Sequence, residues 1–244
     1  MRVSLLCAAC VQAKRSPHDC TVQVTPNETG VYEITCGAGH HSLVALAAAR
    51  YEQLFETGLS AITDQYFREA VSSFSAALER FYEFCTRVLA TSAGVTVEDF
   101  NAAWKHLSRQ SERQLGAFLA AHLMLEKSSP RVLATKATEF RNEVIHKGRF
   151  PTQTEALNFG DNVLSVIRPT LKLLHSRHEV ALFAQWEQSL HDVLRSPQLQ
   201  GKIVNRHFPA MTLRNIDLDE TEGRDTKYYV WFLGVRHGYL SDAR

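Results

Sequence analysis

Three residues near the middle of this 244-residue chain, Arg141, Asn142 and His146, are of types that can act together on a phosphodiester. A histidine titrates near neutral pH, so it can take the proton of a ribose 2′-hydroxyl or return one to a leaving 5′-oxygen. An arginine stays cationic and offers a planar fork to phosphate oxygens as negative charge builds on them. Asn142 can orient the imidazole or a phosphate oxygen, and none of these roles needs a metal. The spacing is less decisive than the residue types. Asn142 and His146 are four apart and share a helical face. Arg141 and His146 are five apart and diverge by about 140° on an ideal helix. They act jointly if the arginine wraps round, if the helix loosens before Gly148, or if a second subunit completes the site. The competing reading is structural, with Arg141 paired to a nearby acid and His146 capping the last carbonyls.

A second constellation lies at the start of the chain. Four of the five cysteines, Cys7, Cys10, Cys20 and Cys36, fall within the first 36 residues. In a cytosolic chain such clustering argues for metal more than for disulfides or buried free thiols. Cys7 and Cys10 form a two-residue knuckle, and Cys36-Gly-Ala-Gly-His40 supplies a second pair of ligands. The small intervening residues let the backbone turn tightly. The segment resembles a zinc ribbon over about 35 residues, which implies a structural, closed Zn²⁺ site on Cys7, Cys10, Cys36 and His40. Cys20, His18 and His41 are alternative fourth ligands.

The elements that must position these residues follow from periodicity. Residues 20–25 and 31–35 alternate apolar and polar residues around a turn-forming run at 26–30, which predicts a β-hairpin. From Ser42 the pattern changes, and Leu43, Leu46, Tyr51, Leu54, Phe55 and Leu59 predict a helix. A longer apolar stripe from Phe67 to Val88 predicts a second helix, with Cys85 in its core face. Thr96 is placed to cap a short helix over 97–107. A helix over 110–126 carries Leu115, Phe118, Leu119, His122 and Leu123 on one side, with His122 as a satisfied core histidine. The helix that ends in the Arg141–His146 segment is expected to start at Ser128-Ser129-Pro130 and stop near Gly148, with Pro151 just beyond. Another runs from Thr154 to about Arg177, kinked or split at Pro169, and a last one from about His178 to Leu194. Tyr228 to Leu233 reads as a strand, with Met211 to Leu213 as its partner.

With these helices in place, the string Arg141-Asn142-x3-His146-x-Gly148, followed by Phe150-Pro151-Thr152, resembles the HEPN family motif. The stretches Tyr66 to Val71 and Ala77 to Phe81 also resemble HEPN helices, and the resemblance covers about residues 45–195. It implies an α-helical bundle that dimerises with the motifs of two protomers facing each other. It also implies metal-independent RNA cleavage that leaves 2′,3′-cyclic phosphate and 5′-hydroxyl ends, with Arg141, Asn142 and His146 as the site. Many relatives act in toxin–antitoxin or antiviral defence systems, so an antitoxin or defence protein is an expected partner. Two other readings stand beside the homodimeric endoribonuclease. One is a non-catalytic RNA-binding or protein-interaction module with structural zinc. The other is a regulatory HEPN partner of a nucleotide-transferring enzyme.

The architecture expected is mainly α: a zinc-ribbon-like unit over 1–41, a HEPN-like helical domain over 42–198, and a β-containing extension over 199–244. Lys plus Arg (27) nearly balances Asp plus Glu (26), so any attraction to RNA has to be local or assembled across a dimer. No segment is long and apolar enough to span a bilayer, and the apolar start, Val3 to Val11, is short and weakly flanked for a cleaved signal. The expectation is a cytoplasmic protein without a membrane partner. Glu79 can either pair with Arg141 or stand solvated on its helix. Arg206-His207 and Arg236-His237 have suitable residue types but lie in the less regular tail, which favours surface or RNA-contact roles.

Overall fold

Short strands of alternating burial open the chain, and long helices with apolar stripes follow. The computed structural model describes residues 3–15, 20–195, 199, 204–207 and 224–230. Strand β1 (Val3–Leu6) pairs antiparallel with β2 (Thr21–Val24), and helix α1 (Ala8–Gln12) lies in the connection between them. Strand β3 (Val31–Thr35) pairs antiparallel with β4 (His41–Leu46), Tyr32 opposite Val44. The turn at 26–30 is therefore not the tip of a hairpin. It links two separate strand pairs, and Asn27 organises it by accepting from the Gly30 N–H and donating to the Val31 carbonyl.

The start of the expected helix at 42 is also corrected, because Leu43 and Leu46 belong to β4. Their three-residue spacing mimics a helix, but the turn from Cys36 to His40 folds the chain straight back onto β3. Gly39, at φ +80°, supplies the left-handed residue this turn needs. Val44 and Leu46 then join Tyr32, Ile34, Val3 and Leu5 in a small core of their own.

The helical part is built around α3 (Phe67–Ser92), against which α2 (Arg50–Thr63), α5 (Ser111–Glu126), α6 (Thr135–His146) and α7 (Gln153–Leu194) all pack. Helix α4 (Val97–Leu107) starts as expected, with the Thr96 side chain accepting from the Asp99 N–H. Cys85 is wholly buried in the stripe, and buried His122 meets the Ser128 carbonyl at 2.9 Å. In α5 the buried face carries Gln114, Phe118 and His122, whereas Leu123 is 54% exposed, at the margin of the expected stripe.

Three further elements differ from expectation. Helix α6 begins at Thr135, not at 128–130. Lys127, in the left-handed region at φ +57°, ends α5, and the chain must then travel extended to reach the next start. Helix α7 continues through Pro169 and breaks its geometry at His178 (φ −133°, ψ 32°), where two helices were expected to meet. Tyr228 to Val230 lie in a helical turn over 226–230 and not in a strand. There Asp225 accepts from the Tyr228 N–H, Asp161 accepts from the Thr226 N–H, and Tyr229 is buried in the helical core. Local capping and burial override the aromatic strand propensity. Residues 211–213 and 231–233 lie outside the described residues. Arg206 and His207 form part of β5 (Asn205–His207), which runs parallel to β4. The fold is thus mainly helical with two small sheets, and no helix among the described residues is long and apolar enough to cross a membrane.

Candidate functional site

Helix α6 positions the first constellation. Its end is fixed where Gly148, at φ +72°, turns the chain and the N–H groups of Lys147 and Arg149 both donate to the Glu143 carbonyl. The Arg149 guanidinium bonds Glu143 and Glu155 and lies over the Phe140 ring, which ties the loop after His146 to the start of α7.

A cavity of about 190 Å³ opens between α3, α5, α6 and the 127–134 connection. Arg141 and Asn142 line it. His146 does not; it is exposed at the C-terminal end of α6. The structure thus brings the arginine and asparagine into one cleft and leaves the histidine outside it. One acid relates the two. Glu112, in the first turn of α5 and in the cavity wall, has its carboxyl held below the usual range. Its own backbone N–H and the Ser111 hydroxyl do most of this, with the charges of Arg141 and His146 adding to it.

Glu79 lines the same cavity as Arg141. Its link to Arg141 is through the field, because no ion pair closes between them among the described residues. Burial pushes the Glu79 carboxyl up, against the pull of Arg141 and Arg80. Arg141 itself makes no hydrogen bond or ion pair among the described residues, so its fork remains available to a ligand. Ser75 is 7% exposed, lines the cavity, and its hydroxyl has no hydrogen-bond partner among the described residues.

Ser75, Glu79 and Tyr82 escaped the sequence reading as a group. Their signal was present: they sit at i, i+4 and i+7 on α3, a polar row beside the apolar stripe. A further cluster was not readable at all. His178 Nδ1 lies 2.6 Å from Ser92 Oγ, and its Nε2 lies 2.6 Å from Glu126 Oε1. Arg177 pairs with the other Glu126 oxygen at 2.6 Å.

The second constellation assembles as expected. Cys7 precedes α1, Cys10 lies within it, and Cys36 and His40 flank the turn after β3. His40 Nδ1 is 3.7, 3.3 and 3.4 Å from the sulfurs of Cys7, Cys10 and Cys36, and Cys10 Sγ is 3.6 Å from Cys36 Sγ. All four ligand atoms lie within 4.8 Å of one another. The sulfurs are too far apart for a disulfide and all five cysteines are free. Metal–ligand bonds of about 2.0–2.3 Å in a tetrahedron imply ligand–ligand edges of roughly 3.3–3.8 Å, so these residues can hold a metal ion.

Of the alternative ligands, Cys20 is buried beside the cluster but directs its sulfur at the Arg15 carbonyl, 3.7 Å away. His41 is exposed, with Nδ1 2.8 Å from Thr35 Oγ1. His18 lies outside the described residues. Burial and the neighbouring thiols of Cys36 and Cys7 push Cys10 up to about 12. Burial also opposes ionisation of Cys36, but the backbone N–H groups of His40 and Ala38 and bonds from Cys10 and Cys7 hold it down to about 6. The thiols therefore give up their protons unequally, and a bound cation would draw off the rest.

No family model matches the chain, and no curated protein or solved structure matches it either.

Proposed function

We propose that this chain is a metal-independent endoribonuclease of the HEPN type that works as a homodimer. The observation that carries the reading is Arg141, without a protein partner among the described residues, beside Asn142 in a cleft next to an exposed His146. In the reaction, the ribose 2′-oxygen attacks the adjacent phosphorus as its proton passes to an imidazole. The P–O5′ bond breaks, and the leaving oxygen takes a proton. The products are a 2′,3′-cyclic phosphate and a 5′-hydroxyl. Arg141 stabilises the charge on the non-bridging oxygens, and Asn142 orients the phosphate. His146 supplies one of the two proton transfers, and His146 of a second copy supplies the other.

Local charge supports RNA as the substrate. Residues 127–149 hold six lysines and arginines against two glutamates, although the whole chain is close to neutral. Phe150, 85% exposed and four residues beyond His146, offers an apolar contact to a partner on this reading.

The Cys7, Cys10, Cys36 and His40 cluster fits structural Zn²⁺ on this reading. Three sulfurs and one imidazole fill four positions, which leaves none for catalysis.

The test is cleavage of single-stranded RNA with excess chelator present. Wild type is expected to cut and to leave cyclic phosphate ends, and His146→Ala is expected to lose about a hundredfold or more of the rate. Equal rates would overturn the assignment and leave a non-catalytic RNA-binding or interaction module.

A further inference from the structure

The cleft beside Arg141 is shaped for more than a phosphate. Its walls combine apolar Leu78, Leu115 and Phe159 with polar Ser75, Glu79 and Arg141. An apolar cavity of about 150 Å³ accepts a benzene ring, so one of about 190 Å³ has room for a somewhat larger planar ring system. Two polar groups in this wall have no hydrogen-bond or ion-pair partner among the described residues. Ser75 keeps a hydroxyl without a partner in a site more than nine-tenths buried. Glu79 holds a carboxylate in the same wall without an ion pair to Arg141, at a cost that burial makes plain. Both can serve a bound ligand.

We infer that this cleft is a base-recognition pocket that takes the guanine next to the scissile phosphate, with Glu79 reading its Watson–Crick edge. The inference rests on the ribonuclease reading for the position of the phosphate at Arg141. The choice of base follows from the acceptor. A carboxylate accepts two parallel hydrogen bonds and donates none. Guanine presents two adjacent donors, N1–H and the N2 amino group. Adenine and cytosine each place a ring-nitrogen acceptor beside the amino donor, which would face the carboxylate unfavourably. Uracil flanks its one N–H with two carbonyls. Ser75 supplies a further hydroxyl in the same wall, and the apolar side chains cover the faces of the ring.

The experiment is equilibrium binding of the four nucleoside 3′-monophosphates to the full-length, metal-replete chain, with 5′-GMP as a fifth ligand. Wild type is expected to prefer 3′-GMP over the other three 3′-nucleotides by roughly ten- to a hundredfold, the discrimination of one good bidentate contact. Glu79→Gln is expected to bring the four within about threefold of one another while remaining folded by circular dichroism. The proposal is overturned if wild type binds none of them, if it binds all four alike, or if Glu79→Gln keeps the preference. Tighter binding of 5′-GMP than of 3′-GMP also overturns it, since that would mark a site for a free nucleotide and not for an RNA strand. Cleavage separates the two claims. A chain that cuts RNA without base preference loses the pocket and keeps the nuclease. A chain that prefers 3′-GMP but does not cut keeps the pocket and loses the nuclease.

Discussion

Glu79 combines the costs and the uses of a half-buried acid. Its carboxyl titrates above the usual range because burial disfavours the charge more than Arg141 and Arg80 favour it. In the interval between the ordinary and the raised value, the native state binds more protons than the unfolded chain. Stability from this group is therefore fully present below the ordinary glutamate range, near about pH 4, and is lost as pH rises through the folded value. At neutral pH this burial of the carboxyl works against folding. Glu79→Gln is expected to be more stable than wild type in urea at pH 7, with the gain shrinking as the pH is lowered towards the ordinary range. A variant no more stable than wild type at pH 7 would mean that the carboxylate is satisfied in the folded state. The same substitution is expected to erase base preference, so stability and recognition would move in opposite directions at one residue.

At the scale of elements, close approach and end-to-end ties hold the bundle. Gly58 of α2 faces the Phe74 ring of α3, and an added Cβ would lie 2.5 Å from Phe74 Cε1. Alanine is the better helix former by about 1 kcal/mol, but overpacking costs about 1–3 kcal/mol. Gly58→Ala is expected to lower stability by about 1–2 kcal/mol, read from the denaturation midpoint; a rise would show that α2 and α3 can separate freely. His178 ties three helix regions together. It sits at the break in α7 and touches Ser92 at the end of α3 and Glu126 at the end of α5. The Glu126 side chain is only 1% exposed, so His178→Ala leaves its carboxylate with Arg177 alone. A loss of about 1–3 kcal/mol is expected, with the amides around the break exchanging faster. Unchanged exchange there would show that the break is set by backbone packing alone.

At the scale of the molecule, two cores share one chain. The helical core draws on α2, α3, α5, α6 and α7, while the strands at the start bury a separate set of side chains around Tyr32, Ile34 and Val44. The smaller core ends in the buried thiol cluster. A core of this size needs a staple, and the four ligands provide one once a metal binds. Chelation is expected to strip hydrogen-exchange protection from residues 3–46 and leave α2 and α3 protected. Reconstitution with Co²⁺ is expected to give a tetrahedral spectrum that is weakened in Cys36→Ser. Full protection of 3–46 in chelator would show that the strands hold without metal.

Much of this was legible in local patterns. The apolar stripe of α3, the Thr96 cap, the stop at Gly148 and each of the two ligand pairs, Cys7-x2-Cys10 and Cys36-x3-His40, depend on residues close to one another in the chain, where helix period, cap geometry and ligand reach are set by the backbone itself. The residue types Arg141, Asn142 and His146 were likewise plain, and so was the angular gap between Arg141 and His146. Tertiary structure decided what depends on distant partners. It paired β2 with β1 and β3 with β4, because a strand's partner is chosen by which faces bury together and not by which runs are nearest. It turned residues 226–230 into a helical turn because Asp161 and the α7 surface lie beside them. It also built the cleft, since a wall from α3, a wall from α5 and an extended connection meet at Arg141 only after the helices pack. The sequence by itself determined the residue types and the one helix that carries all three, because those follow from local chain geometry; which of them share a cleft did not follow from it. Packing alone decided that Ser75, Glu79 and Glu112 would line one cleft with Arg141, because a cleft is made of surfaces brought together from far apart in the chain.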